Sequence, residues 1–304
     1  MIHRLAARLA DRTLWALAAL AVLVIVAMLA VVLGNIVWHG WERLTWEFLT
    51  AAPRVGMTEG GIFPAIFGTV LLVLLMTVFV VPLGVCVAVY FSEYANRESW
   101  LYRWSRQAVN NLAGVPSIVF GLFGLGFFVQ FVGRGIDTAV YSGRLTYGQP
   151  ALIWAALTMA VLTLPVVIVS VEEALRAVPQ SYRDASYALG ATRAQTVFRV
   201  VLPNAFSGVL TGGILAVSRG AGEVAPILFV GAAYFLPHLP TRLNDQFMEL
   251  GYHIYVLSTQ SPDVEATKPL LYTTVFVLLA LTFLLNLTAF ALRARLRVAA
   301  GSGR

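Results

Sequence analysis

Residues 179–203 read Pro179-Gln180-Ser181-Tyr182-Arg183-Asp184-Ala185-Ser186-Tyr187-Ala188-Leu189-Gly190-Ala191-Thr192-Arg193-Ala194-Gln195-Thr196-Val197-Phe198-Arg199-Val200-Val201-Leu202-Pro203. This polar segment separates two long apolar runs. Gln180 and Ser181, just after Pro179, start a short helix, and Gly190 stops it, because glycine takes the left-handed backbone of a helix C-terminus without penalty. A second helical stretch, 192–201, carries Val197, Val200 and Val201 on one side, and Pro203 marks entry to the next run. The segment predicts a short helix lying along a membrane face. Small residues at Ala185, Ser186 and Ala188 would let another protein approach its backbone. Two readings stand for it: an interfacial amphipathic helix, or a docking element.

The flanking runs set the fold class. Of 304 residues, 59% are hydrophobic and only 12% charged, about half the charge of a soluble domain. Charge-free stretches at 13–38, 60–92, 107–132, 145–171 and 269–292 each hold the roughly 20 apolar residues that cross a bilayer. A sixth, 205–233, is as long but contains Arg219 and Glu223. The expected fold is an all-α integral membrane protein with six transmembrane helices. The short alternating segments of a transmembrane β-barrel are missing. The first run follows Arg4, Arg8 and Arg12 but exceeds the roughly 7–15 residues of a signal-peptide core, so it reads as a retained anchor. The chain divides into an N-terminal span with its outer loop (1–59), a core (60–292) and a tail (293–304).

Fourteen of the 21 Lys and Arg residues fall in the N-terminal arm, the second loop, the fourth loop and the tail; the other three loops share six, and Arg219 is the last. Positive-inside bias places those four segments, and so both termini, in the cytoplasm. The net charge of +6 is thus a topology signal, with anionic lipid heads as its natural counterpart. No basic stripe interleaved with stacking aromatics marks nucleic acid as a partner.

No catalytic machinery is evident. The single lysine, Lys268, lacks the glycine-rich loop of a P-loop ATPase. His3, His39, His238 and His253 have no metal-ligand spacing, and Cys86 stands alone, so neither metal nor cofactor is expected. Gly121-Leu122-Phe123-Gly124-Leu125-Gly126 reads as helix packing by small residues rather than a dinucleotide loop. The remaining charges of interest are Arg219 and Glu223. Four apart on a helix, they share one face, and a count from Asn204 puts Arg219 a little over 20 Å into the bilayer, past its midplane. Charge there is costly, about 2.5–3.5 kcal/mol on insertion scales. Either the pair only holds helices together, or Arg219 attracts an anion in transit while Glu223 limits how tightly it is held. The glycine-rich stretch 218–226, ending in Pro226, can unwind where backbone lines a cavity.

Asp184-Ala185-Ser186-x3-Gly190-x9-Val200-x-Leu202-Pro203 resembles the EAA motif of ABC importer permeases, EAA-x3-G-x9-I-x-LP, with Asp184, Ser186 and Val200 as conservative departures. Gly222-Glu223-Val224-Ala225-Pro226 resembles the Gly-Glu-Thr-Ala-Pro segment of phosphate importer permeases of the PstA type. The stretches 60–69 and 114–121 resemble the same family, so the likeness runs from about 60 to 292. It implies the type I importer permease fold, with a cytoplasmic coupling helix between spans four and five that sits in a cleft on an ATP-binding subunit. Asp184 and Gly190 would be most sensitive to docking, with Ala185, Ser186 and Leu189 beside them. Arg183 and Arg193 have two readings, ion pairs with the ATPase or plain positive-inside bias. The implied partners are a homologous PstC-like permease, two ATP-binding subunits and a periplasmic phosphate-binding protein. The implied function is a non-catalytic path for inorganic phosphate in the inner membrane, through Arg219 and Glu223. Sulfate or molybdate is the alternative substrate. An ATP-independent carrier is the alternative mechanism, but its inverted repeats are not seen.

Overall fold

The computed structural model describes residues 2–54, 59–261 and 264–301. In chain order it contains α1 (Ile2–Trp41), α2 (Trp46–Thr50), β1 (Pro53–Arg54), β2 (Glu59–Gly60) and α3 (Phe63–Val89), which ends in a π-helical turn (Tyr90–Tyr94). Then come α4 (Trp100–Leu112), α5 (Ser117–Phe123), a π-helical stretch (Gly124–Gly133), α6 (Arg134–Val140) and α7 (Leu152–Arg176). The rest is α8 (Gln180–Ala188), α9 (Arg193–Thr196), a π turn (Val197–Val201), α10 (Leu202–Gly220), α11 (Leu250–Thr259) and α12 (Val264–Gly301). Six helical runs among the described residues are long and apolar enough to span a membrane: Asp11–Trp41, Phe63–Tyr94, Ser117–Val140, Leu152–Arg176, Arg193–Gly220 and Thr267–Arg295. The only strands described are the hairpin pairing Pro53 with Gly60 and Arg54 with Glu59.

Two spans differ from their sequence boundaries. The third begins at Ser117, not at Gln107. Pro116 keeps the residue before it out of the helical region, so Gln107, Asn110 and Asn111 belong to the separate helix α4. That helix buries none of its residues, and Trp100 and Trp104 are exposed, as suits a helix lying in the interface. The fifth span runs from Arg193 to Gly220 instead of from 205 to 233. Pro203 does not mark its entry, because proline fits the first turn of α10 and the π turn joins α9 to it without a break. Beyond Gly220 the chain leaves the helix and folds back as turns.

α7 is the centre of the bundle. Met159, Val167, Val171 and Leu175 are fully buried, and α3 and α10 flank it. Small residues set these approaches: a Cβ on Gly208 of α10 would stand 1.9 Å from Cβ of Ala174, and one on Gly84 of α3 would stand 2.6 Å from Val167. Buried Thr158 and Thr163 donate to carbonyls one turn back on α7, at 2.7 and 2.9 Å, so neither of these hydroxyls is left unsatisfied. No side chain caps the start of α7. Instead the amides of Ala151, Leu152 and Ile153 donate to the carbonyls of Val230, Asp245 and Leu243 at 2.8–2.9 Å. The folded-back segment thus closes the helix end that would otherwise leave N–H groups without acceptors.

α1 stands apart, exposed along its apolar length. It meets α12 where His39 lies 5.2 Å from Tyr272, and Trp41 lies 6.2 Å from Phe276, between ring centroids.

Spans three and four touch at Gly124, where a Cβ would fall 2.2 Å from Oγ1 of Thr158 and 2.9 Å from Val230; at Gly126 it would meet nothing. Overpacking of this kind costs about 1–3 kcal/mol. Gly124→Ala is therefore expected to lower the thermal unfolding midpoint of the detergent-solubilised protein by several degrees, on the order expected for that cost. Gly126→Ala should leave it in place, and equal midpoints for the two would contradict this packing.

Candidate functional site

The segment that the sequence singles out folds as a short helix followed by a sharp stop. α8 covers Gln180–Ala188, and Gly190 adopts φ +81°. In this left-handed conformation a β-carbon is strained, least in Asn, although a side chain would meet no neighbour. Thr192 caps α9 through a reciprocal capping box with Gln195. Asp184 accepts a hydrogen bond from Gln180 Nε2 at 3.0 Å, and the hydroxyls of Ser186 and Thr196 lie 2.9 Å apart, joining α8 to α9. Asp184, Ala185 and Gly190 are exposed. Leu189 is 89% exposed, with Tyr182, Tyr187 and Phe198 exposed nearby. Such an apolar tip beside small residues makes a surface that another protein can cover.

Arg183 is not part of that free surface, and Arg193 is only partly so. Arg183 is buried. Its Nη2 donates to Glu93 Oε1 at 2.8 Å and to the Leu175 carbonyl at 2.9 Å, and its Nη1 donates to the Val178 carbonyl at 2.7 Å. Arg193 donates to the Glu93 carbonyl and stacks on Tyr94, 5.0 Å from the ring centroid. Both arginines therefore serve contacts within the chain: Arg183 is buried and committed to them, whereas Arg193 is exposed and keeps donors free. Glu93, itself buried, ties the end of span two to the α8 loop, and removing one partner of such a buried pair costs about 3–5 kcal/mol. Sequence reading missed Glu93. Its one signal was a lone acid closing an apolar run. A second buried carboxylate, Glu172 on α7, is bonded by Arg106 of α4 and by Arg176.

Arg219 and Glu223 lie at the other end of span five. Because the helix starts at Arg193 rather than near Asn204, Arg219 sits about 39 Å along it, in its last turn. The bundle therefore separates this pair from Asp184, Ala185, Ser186, Leu189 and Gly190 by the full length of a span. The two charges do not share a helix, since α10 ends at Gly220. Turns 221–226 bring Glu223 Oε1 to 3.6 Å from Arg219 Nε, with the side chains 37% and 24% exposed. This loose contact leaves donors on the guanidinium free for a ligand. Close packing surrounds the turn: a Cβ on Gly220 would meet Met76 at 2.5 Å, one on Gly121 would meet the Pro226 carbonyl at 2.8 Å, and one on Gly251 would meet Val224 at 2.4 Å. Gly222 faces open space. Ser218 donates to Asn286 Oδ1 on α12 at 2.5 Å. Sequence reading missed Asn286, a polar residue within the last apolar run.

Beside this turn, Glu249 caps α11 by accepting from the amides of Gly251 and Tyr252 at 2.9 and 2.7 Å. Burial pushes its carboxyl up to about 7, against the pull of those amides and of the Thr69 hydroxyl. One turn later His253 is buried, which lowers its imidazole to about 4, and its Nδ1 has no hydrogen-bond partner. The imidazole is therefore neutral at neutral pH.

Residues 80–298 match the family described as "Binding-protein-dependent transport system inner membrane component". The probable ABC transporter permease protein YqgI of Bacillus subtilis (strain 168) is 31% identical over 273 residues, spanning 85% of this chain and 87% of the relative. The probable phosphate transport system permease protein PstA of Methanocaldococcus jannaschii is 33% identical over 209 residues, 69% of this chain and 68% of the relative. Among solved structures, a bacterial alginate ABC transporter in complex with its alginate pentasaccharide-bound periplasmic protein aligns with TM-score 0.64 at 16% identity, over 93% of this chain and 95% of that one. An inward-facing MetNI methionine ABC transporter aligns with TM-score 0.53 at 20% identity, over 77% and 94%. These likenesses show the type I ABC importer permease fold, and the chain, a multi-pass inner-membrane protein, belongs to the family of inner membrane components of binding-protein-dependent transport systems.

Proposed function

We propose that this chain is the PstA-type permease subunit of an ATP-driven importer and forms its half of the transmembrane path for inorganic phosphate. The observation that carries the reading is the Arg219–Glu223 pair, only partly buried and loosely bonded at the end of α10, over the open backbone of Gly222. An ion pair facing out of a membrane bundle needs a polar counterpart, which a homologous PstC-like permease supplies. A guanidinium suits a tetrahedral oxyanion through its fork of N–H donors, and the PstA name of the archaeal relative favours phosphate over sulfate or molybdate.

The chain has no P-loop, and in this reading it is a non-catalytic subunit, with ATP hydrolysed by a separate one. Two ATP-binding subunits dock on the coupling helices, here on Asp184, Ala185, Ser186, Leu189 and Gly190, and a periplasmic phosphate-binding protein delivers the anion. Positive-inside bias supports both termini in the cytoplasm, with α8 on that face and Arg219 towards the periplasm. The transporting core comprises 60–292, with 1–59 as anchor span and loop and 293–304 as tail. The outward α1 surface meets membrane lipid.

Arg219→Ala is expected to lower uptake of labelled phosphate into reconstituted vesicles by about 10- to 150-fold, the equivalent of one charged hydrogen bond, with the complex still assembled. Unchanged uptake would reduce Arg219 to a structural pair. Competition by sulfate and molybdate in the same assay tests the substrate, and inhibition by either as strong as by unlabelled phosphate would overturn phosphate selectivity.

Gly190→Val places a β-branched residue at φ +81°, a strain of roughly 1–2 kcal/mol. It should weaken binding of the ATP-binding subunit in co-purification by about 5- to 30-fold, whereas Gly190→Asn, which tolerates that backbone, should retain it. Full co-purification and normal uptake with Gly190→Val would remove α8 from the docking surface.

A further inference from the structure

Movement of the α8 loop has to reach residues about 39 Å away along span five. We propose that span two, α3 with its π turn, is the rod that carries this displacement, and that Glu93 and Thr69 are positioning residues at its two joints. The inference rests on the coupled-permease reading and extends it to residues outside the docking and substrate sites.

The joint near α8 is bidentate and buried. Arg183 reaches Glu93 through Nη2 at 2.8 Å and through Nε at 3.4 Å, and the Glu93 carbonyl holds Arg193 at the start of span five. Both partners are 8% exposed. A push on α8 is therefore delivered to a buried charged side chain held between two helices. The same arginine is held by carbonyls at the end of α7, so α8 cannot shift without loading spans two and four together.

The joint at the other end uses one hydroxyl. Thr69 lies 24 residues before Glu93, about 36 Å along the helix, and is 1% exposed. Its Oγ1 accepts from the Leu250 amide at 3.0 Å and lies 3.4 Å from Glu249 Oε1. At the adjacent Gly68, a Cβ would stand 2.0 Å from the Met248 carbonyl. Segment 248–251 is thus seated directly on span two. Its other side meets the substrate turn, where Gly251 has room for no Cβ because Val224 stands 2.4 Å away. About two turns along from Thr69, Met76 of span two meets Gly220 at the end of α10. Interiors packed this closely shift as units rather than absorb displacement. Glu93, Met76 and Thr69 accordingly form one line of contacts from the α8 loop to the neighbours of Arg219 and Glu223.

The test uses the complete importer in proteoliposomes, with the partner permease, ATP-binding subunits and binding protein, measuring labelled phosphate imported and ATP hydrolysed in the same vesicles. Glu93→Gln keeps the shape and one oxygen but removes the charge. Thr69→Val keeps the shape and removes the hydroxyl, far from any ATPase contact. Both variants are expected to assemble, and phosphate imported per ATP should fall about tenfold, within the usual range of coupling between sites. Glu98→Gln, which alters an exposed carboxylate on the loop after span two, should match the wild type. A purely structural role reduces the amount of assembled complex but leaves phosphate per ATP unchanged, and that outcome in Thr69→Val overturns the proposal whether or not Glu93→Gln assembles. A wild-type complex that hydrolyses ATP but moves no phosphate counts against the substrate reading instead, and the ratio is then read with labelled sulfate or molybdate.

Discussion

Hydrocarbon supplies no hydrogen-bond partner, so every place where a helix stops within this bundle has to be answered by another part of the chain. The first amides of α7 find the carbonyls of Val230, Asp245 and Leu243. Asp137, buried at the end of span three, accepts from the amides of Thr146, Tyr147 and Gly148 at 2.7–2.9 Å. Glu249 does the same for α11. These arrangements gather irregular backbone at one end of the bundle, and the break of α10 at Gly220 lies among them. The polar turn around Glu223 exists where it does because neighbouring segments can satisfy it.

The same constraint sorts the charges. Arginines that topology alone would place on one membrane face turn out to be held by particular acids: Arg106 and Arg176 by Glu172, and Arg183 by Glu93. Their carboxylates are nearly inaccessible, and additional carbonyl acceptors complete the guanidinium of Arg183. Arg219 differs in kind. Its contact with Glu223 is longer and that carboxylate more open than Glu172 or Glu93, so its donors are not all taken up within the chain. A satisfied pair holds helices together, whereas an unsatisfied one can receive an anion.

Much of the architecture was legible in the sequence because its signals are local. A run of about 20 apolar residues crosses a membrane wherever it occurs, and six such runs gave six spans. Pro179 and Gly190 bound α8 because proline and glycine act on their own dihedral angles. The helix breaks were less legible. Pro116 lies inside an uncharged stretch, so counting charges ran α4 and span three together. Gly220 and Gly222 lie inside a run long enough to cross, and length alone extended span five to 233.

The long-range pairs could not be read at all. Glu93 and Arg183 lie 90 positions apart, and Thr69 and Leu250 lie 181 apart. Nothing in their neighbours along the chain specifies such partners. The number of spans, the α8 element and the candidate residues Arg219 and Glu223 could be read from the chain alone, since hydropathy and backbone preference are properties of short segments. Only the tertiary structure decided which arginines were already committed, where span five stopped, and which helix joined the α8 loop to the Arg219 turn. Those outcomes depend on packing and on hydrogen bonds between distant segments, which form only once the spans are side by side.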